Sequence, residues 1–463
     1  MMKNSLFILS AALLSLPTFS QKEISAQMLE QWRQNYHSTG ADRALDNAVA
    51  ANEIKVLALN NESMAQFDTN FSNKVPSKGI TDQKSSGRCW LFTALNVLRS
   101  DMINKYDLGA FTFSQNYCFF YDQLEKSNLF LQAIIDNASL SMDDRKVEWL
   151  FKNPLSDGGT FCGAADIISK YGLVPAEVMP ETYSSNKTGT YSTLLKTKLR
   201  EYGLALREMA TSGAKEKELE KKKLEQLGVV YKMLVRCFGT PPQQFTYTLR
   251  DKNNKVVSTA QYTPQSFYKE FIGKDLTGSY LMFMNDPSRP YYKTFEIDMD
   301  RHSYDGHNWV FLNVPMDDIK QMAIASIKDS TMMYMSCDVG KANDSKRGYS
   351  DPDVYNYGEI FSTTFPMNKK ERIQTFASAS THAMTLMAVD LDAEGKPLKW
   401  MVENSWGASS GFQGHIVMSD RWLDEYLFRL VVDKKYIPKK LQTLSEQKPT
   451  LLPAWDPLFL PEE

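Results

Sequence analysis

Cys89 opens an apolar, helix-like run, Cys89-Trp90-Leu91-Phe92-Thr93-Ala94-Leu95. At that place unpaired helix N–H groups and the helix dipole favour the thiolate, which is the nucleophilic form of cysteine. Gln83, six residues upstream, carries a side-chain amide able to donate to an oxyanion formed beside the sulfur. Two further groups lie late in the chain: His382 in Thr381-His382-Ala383-Met384, and Asn404 in Glu403-Asn404-Ser405-Trp406-Gly407. An imidazole takes and returns a proton near neutral pH. A neutral amide holds that ring without adding a charge, and Trp406 can shield the hydrogen bond from water. Nucleophile, base, base-orienter and oxyanion donor together spell acyl transfer through a thioester. Taken singly each has an ordinary explanation, since a lone buried cysteine or histidine is usually structural. His37, His302, His307 and His415 keep that explanation. His302 and His307, five apart, are at most a weak metal suggestion, and no zinc or cofactor pattern is present.

The order Gln, Cys, His, Asn is that of the papain-like cysteine peptidases. Two features narrow the resemblance. Arg88 replaces the small residue of the common Gly-Ser/Ala-Cys-Trp/Tyr signature, and Cys89 and His382 are separated by about twice the roughly 130–150 residues of the shorter enzymes. The string Gln83-Lys84-Ser85-Ser86-Gly87-Arg88-Cys89-Trp90-Leu91-Phe92 resembles the bleomycin hydrolase and aminopeptidase C branch, whose long central insertions separate the two residues. So do Ser336-Cys337-Asp338-Val339-Gly340-Lys341, Met367-Asn368-Lys369, Val402 to Gly407, and Leu452-Pro453-Ala454-Trp455-Asp456-Pro457. The resemblance runs from about Phe67 to Pro457. It implies an α+β papain-like fold with a helical left lobe, a β-barrel-like right lobe, and an active-site cleft between them.

Composition leaves that reading intact. The chain has 463 residues, 43% of them apolar and 23% charged, and 53 Lys+Arg stand against 55 Asp+Glu. A balance this even predicts neither nucleic-acid binding nor attraction to anionic membranes. At the N-terminus, Lys3, the apolar run Leu6–Leu14 and Thr18-Phe19-Ser20 read as a secretory signal over residues 1–20, cleaved near Ser20. The run is too short to span a bilayer. The expectation is therefore a periplasmic or secreted protein without stable membrane insertion. Five cysteines (Cys89, Cys118, Cys162, Cys237, Cys337) leave at least one thiol free, and the apolar surroundings of the other four favour buried thiols over disulfides.

The elements that must position the chemistry follow from periodicity and punctuation. Residues 21–73 read as a helical arm, which the resemblance implies is integral and not an inhibitory propeptide, and 74–195 as the left lobe carrying Cys89. Helices are expected over about Cys89–Asn104, Ser114–Leu131 and Ala164–Tyr171, the last with Gly172 as a cap. Residues 196–305 form an insertion: a charged helical stretch around Lys215 to Lys223, then a β-hairpin of Phe245–Leu249 with Val256-Val257. Residues 306–440 form the right lobe with His382 and Asn404. Its strands are expected at Trp309–Leu312, Met332–Ser336, Thr385–Val389, Trp400–Val402 and His415–Met418 as an antiparallel, barrel-like sheet. Residues 441–463 form a C-terminal arm.

Three further expectations come from the resemblance. Gly159, second of the pair in Asp157-Gly158-Gly159-Thr160, would hydrogen-bond the substrate backbone; without the resemblance that pair reads as a tight turn. The C-terminal arm would lie in the cleft, so that the carboxylates at Glu463 meet the substrate's free amino group and restrict the enzyme to aminopeptidase action. The chain would assemble as a homohexamer whose sites face an inner cavity and admit only small peptides. The function expected is a cysteine aminopeptidase without cofactor. Its alternatives are an endopeptidase or acyl-transferring enzyme with the arm out of the cleft, and a non-catalytic papain-fold binding protein.

Overall fold

A computed structural model describes residues 23–458. The signal-like segment 1–20 and Glu463 lie outside the described residues. Two clusters of buried side chains form the core, one among the helices that follow Cys89 and one around a large sheet.

The helix Cys89–Tyr106 is buried along nearly its whole length, polar residues such as Asn96 and Arg99 included, as a central helix is. The helix Gln115–Asp136 lies beside it and starts where the Ser114 hydroxyl accepts from the Tyr117 N–H. The helix Phe161–Tyr171 ends at Gly172, whose φ is +80°. Helices Gly189–Thr211 and Glu216–Phe238 pack on Gln115–Asp136, with the lysine-glutamate run largely exposed. The hairpin forms from Phe245–Arg250 and Val256–Tyr262.

The sheet has twelve strands. At its centre Met333–Cys337, His382–Leu391 and Pro397–Glu403 are antiparallel neighbours. The sheet is mixed and not purely antiparallel: Tyr280–Met284 runs parallel to Val310–Asn313, Tyr349–Ser350 to His415–Ser419, and Thr450–Leu452 to Lys293–Ile297. The strands Tyr280–Met284 and Lys293–Ile297 fall in the stretch read as insertion, yet they join this sheet. The apolar string Tyr280-Leu281-Met282-Phe283-Met284 finds its partner in Leu427–Asp433, far along the chain. None of the five cysteines is joined in a disulfide, and only Cys237 is less than fully buried.

Candidate active site

Strand register assembles the site. His382 opens the strand His382–Leu391, and the neighbouring antiparallel strand ends at Glu403, opposite Thr385. Asn404 is therefore carried back beside the histidine, and its Oδ1 accepts from His382 Nε2 at 2.8 Å. The same oxygen accepts the Ser405 N–H at 2.8 Å, which fixes the amide. With Nε2 bonded to Asn404, Nδ1 is the other ring nitrogen and the one that can exchange a proton with a nucleophile. Trp406 lies over the pair, its ring 4.7 Å from that of His382. The helix that begins at Cys89 packs against this histidine strand. Arg88 at its N-cap offers no side-chain cap to the helix N–H groups. Its buried guanidinium instead grips Glu181 through two bonds of 3.0 and 2.8 Å. Arg99, one face down the helix, is ion-paired with Glu403, both buried; this pair ties the cysteine helix to the strand end that presents Asn404.

Gln83 reaches the same place by pairing its backbone with the Asn404 segment. Its N–H donates to Ser405 O at 2.8 Å, and Gly407 N–H donates to Thr81 O at 3.1 Å. The Ser405 hydroxyl donates to Gln83 Oε1 at 2.6 Å, while Gln83 Nε2 donates to Ser86 O at 2.7 Å. One N–H of the amide is used in that bond, and the second remains available to an oxyanion. Ser405 is the residue that sequence reasoning quoted but gave no role. Its position between Asn404 and Trp406 was the only available signal.

Two concavities lie near these elements, and His382 lines the smaller of them. One, of about 390 Å³, is lined by His382, Trp406, Thr381, Asp338 and Gly340. The other, of about 630 Å³, is bounded by Gly158, Gly159, His302, Ser378, Ala379 and Trp455. Thus Gly159 and the C-terminal arm border one cavity. Gly159 is also a necessity of packing: a Cβ there would stand 2.2 Å from the His302 ring, and one on Gly163 would stand 2.3 Å from it. His302 is buried and bonded to Asp122 at 2.5 Å, whereas His307 is bonded to Asp166 at 2.7 Å. The two histidines thus serve different carboxylates, and among the described residues no group of three potential ligands could hold a metal. Burial, and secondarily the Lys126 charge, lowers the His302 imidazole pKa below its ordinary value. Burial works to raise Asp122, but Lys126 and His302 outweigh it and hold the carboxyl below the usual range.

The arm is tied down as far as Leu458. Asp456 pairs with Arg289, the Arg145 guanidinium lies over Trp455, and buried Arg429 donates to Leu458 O at 2.6 Å. Glu463 falls beyond the described residues.

Comparison with known proteins places these features in context. The sequence model of the Peptidase C1-like family matches residues 23–459. The chain is 35% identical to aminopeptidase C of Lactobacillus delbrueckii subsp. lactis over 442 residues, covering 94% of this chain and 98% of that protein. It is 39% identical to bleomycin hydrolase of Rattus norvegicus over 400 residues, covering 84% and 88%. The crystal structure of PepW from Lactobacillus rhamnosis HN001 superposes with a TM-score of 0.92 at 37% identity, covering 95% of this chain and 99% of that one. These relatives correct one expectation. Aminopeptidases C and bleomycin hydrolases are typically cytoplasmic enzymes, so export after cleavage near Ser20 is not upheld. A short apolar run is a weak signal by itself, because a buried or capping segment has the same composition.

Proposed function

The chain belongs to the Peptidase C1-like family, has its papain-like α+β fold and is a cysteine aminopeptidase; from that premise we propose which residues carry the reaction. Cys89 and His382 form a thiolate–imidazolium pair. The sulfur adds to the carbonyl carbon of the first peptide bond, and the oxyanion is held by the Gln83 amide and the Cys89 backbone N–H. The C–N bond then breaks as His382 Nδ1 gives its proton to the leaving amine. Water, deprotonated by the same nitrogen, attacks the thioester; the C–S bond breaks, the N-terminal amino acid leaves, and the thiolate–imidazolium pair is restored. Asn404 orients the ring, Trp406 covers that bond, and Gly159 binds substrate backbone.

The observation that carries this reading is one continuous hydrogen-bonded chain, His382–Asn404–Ser405–Gln83. It links the base to the oxyanion donor across most of the sequence.

The arm limits the reaction to free amino termini, with Glu463 meeting the substrate ammonium. Its ties at Asp456, Trp455 and Leu458 support this, since they bring the chain to the larger cavity five residues before its end. The assembly is a homohexamer admitting small peptides. In its support, the helix Ala26–Asn35 buries none of its side chains, and Trp32 and Tyr36 stand exposed on this arm. Sedimentation should therefore give a mass six times that of the chain.

The deciding experiment compares an aminoacyl fluorogenic amide with its N-acetylated twin, using wild type, Cys89→Ala and a form lacking residues 459–463. Wild type should cut only the free amine, Cys89→Ala neither, and the shortened form both. Equal cleavage of both substrates by wild type would make the protein an endopeptidase, and full activity of Cys89→Ala would remove the catalytic assignment.

A further inference from the structure

The turn that carries Gly159 is held by side chains on three consecutive carbonyls. Ser156 O accepts from Gln123 Nε2 at 3.0 Å and from Lys126 Nζ at 3.1 Å. Asp157 O accepts from the indole of Trp90, the neighbour of Cys89, at 2.8 Å. Gly158 O accepts from Lys126 Nζ at 2.6 Å. Gln123 and Lys126 lie one turn apart on the helix Gln115–Asp136, so one helix face supplies both. Behind them sits Asp122, wholly buried, which gathers Lys126 at 2.9 Å, Gln123 at 3.0 Å and His302 at 2.5 Å. His302 in turn meets Trp90 edge-on at 4.7 Å and fills the space that Gly159 and Gly163 leave open.

The consequence rests on peptide geometry. The Gly158 carbonyl and the Gly159 N–H belong to one planar unit and point in opposite directions. A donor that holds the carbonyl on the helix side therefore aims the N–H to the other side, and two successive glycines have no stiffness of their own to do so. We propose that Lys126, braced by Asp122 and His302, is a positioning residue for peptide binding: it sets the Gly158–Gly159 plane and so the direction of the substrate-binding N–H. The ammonium is suited to this task, because it satisfies two carbonyls and a buried carboxylate at once, while Asp122 compensates its charge.

This inference rests on the proposed role of Gly159, and its test separates the two. Full-length Lys126→Met is assayed with an aminoacyl fluorogenic amide, and the rate of Cys89 alkylation by iodoacetamide, a reagent too small to need the turn, is measured in parallel. The expected result is a KM raised about tenfold, the loss of a charge-assisted hydrogen bond, with kcat and alkylation rate within about twofold of wild type. Lys126→Gln, which keeps one donor, should fall between the two and serves as the test protein should Lys126→Met not fold. An unchanged KM, or a fall in kcat and alkylation at constant KM, would overturn the positioning role. A wild type whose hydrolysis is as fast in Cys89→Ala would instead sink the catalytic reading, leaving Lys126 without a reaction to serve.

Discussion

At the residue scale the site is decided by which way two amides face. Gln83 is useful as an oxyanion donor only if its nitrogen, not its oxygen, is turned toward the sulfur. The Ser405 hydroxyl on Oε1 and the Ser86 carbonyl at Nε2 enforce that orientation. Gln83→Ala should thus lower kcat by about 10²–10³ with little change in KM, as expected for a donor that acts on the transition state. Ser405→Ala leaves the donor present but free to flip. It should cost about tenfold in kcat, near the net worth of one hydrogen bond, and steady-state kinetics on one aminoacyl amide separates the two variants. Cys89, His382, Asn404 and Gln83 could be picked out of the sequence as candidates because the chemistry proposed for them is carried by residue type and order. Ser405, Lys126 and Asp122 could not, since a serine or a lysine acquires its role only from partners that folding brings to it.

At the scale of elements, the cysteine helix and the Asn404 strand are separate pieces joined by one buried ion pair, Arg99–Glu403. Removing one partner strands the other charge in the core. Arg99→Met should accordingly destabilise by about 3–5 kcal/mol, while Arg99→Met with Glu403→Gln recovers part of that loss, as read by denaturant unfolding. A second buried cation opens the helix Lys369–Gln374, which leads into the loop before His382. Lys369 donates to Asn285 Oδ1 at 2.7 Å, Leu427 O at 2.5 Å and Asp424 O at 3.1 Å, and burial pushes its amine down from 10.5 to about 7. Between about pH 7 and 10.5 the unfolded chain then holds a proton that the folded one lacks. Stability from this group therefore rises with pH across that window and is flat below it. Tm of wild type relative to Lys369→Met should increase from pH 7 to pH 10; a constant difference would show that Lys369 stays charged when buried. Strands with an uninterrupted apolar run, such as Trp400–Val402, could be read from sequence. Tyr280–Met284 and Leu427–Asp433 escaped because each follows a short helix directly, Leu276–Ser279 and Asp420–Tyr426, so the change of period falls within one unbroken run.

At the scale of the molecule, the proposed specificity depends on a strand and a tail that return from the far end of the chain. Thr450–Leu452 adds to the sheet beside Lys293–Ile297, and from there the arm is pinned at Asp456, Trp455 and Leu458. The three ties are not equivalent. Arg289 serves Asp286 as well as Asp456 and is partly exposed, and Arg145 makes an aromatic contact, worth about 0.5–2 kcal/mol in general. Arg429 is fully buried, rises from the central strand Leu427–Asp433, and holds the last described carbonyl before the five terminal residues. A buried cation on a rigid strand is the tie best able to set how far the chain end reaches. Arg429→Met keeps the bulk and removes the hydrogen bond, so the fold should persist with a modestly lower Tm. Cleavage of the free-amine substrate should drop about tenfold in kcat/KM, the worth of one charge-assisted bond, while the N-acetylated twin becomes a substrate. If the twin stays uncut in a folded Arg429→Met protein, the reach of the arm is set elsewhere, and the Arg289–Asp456 pair becomes the element to break.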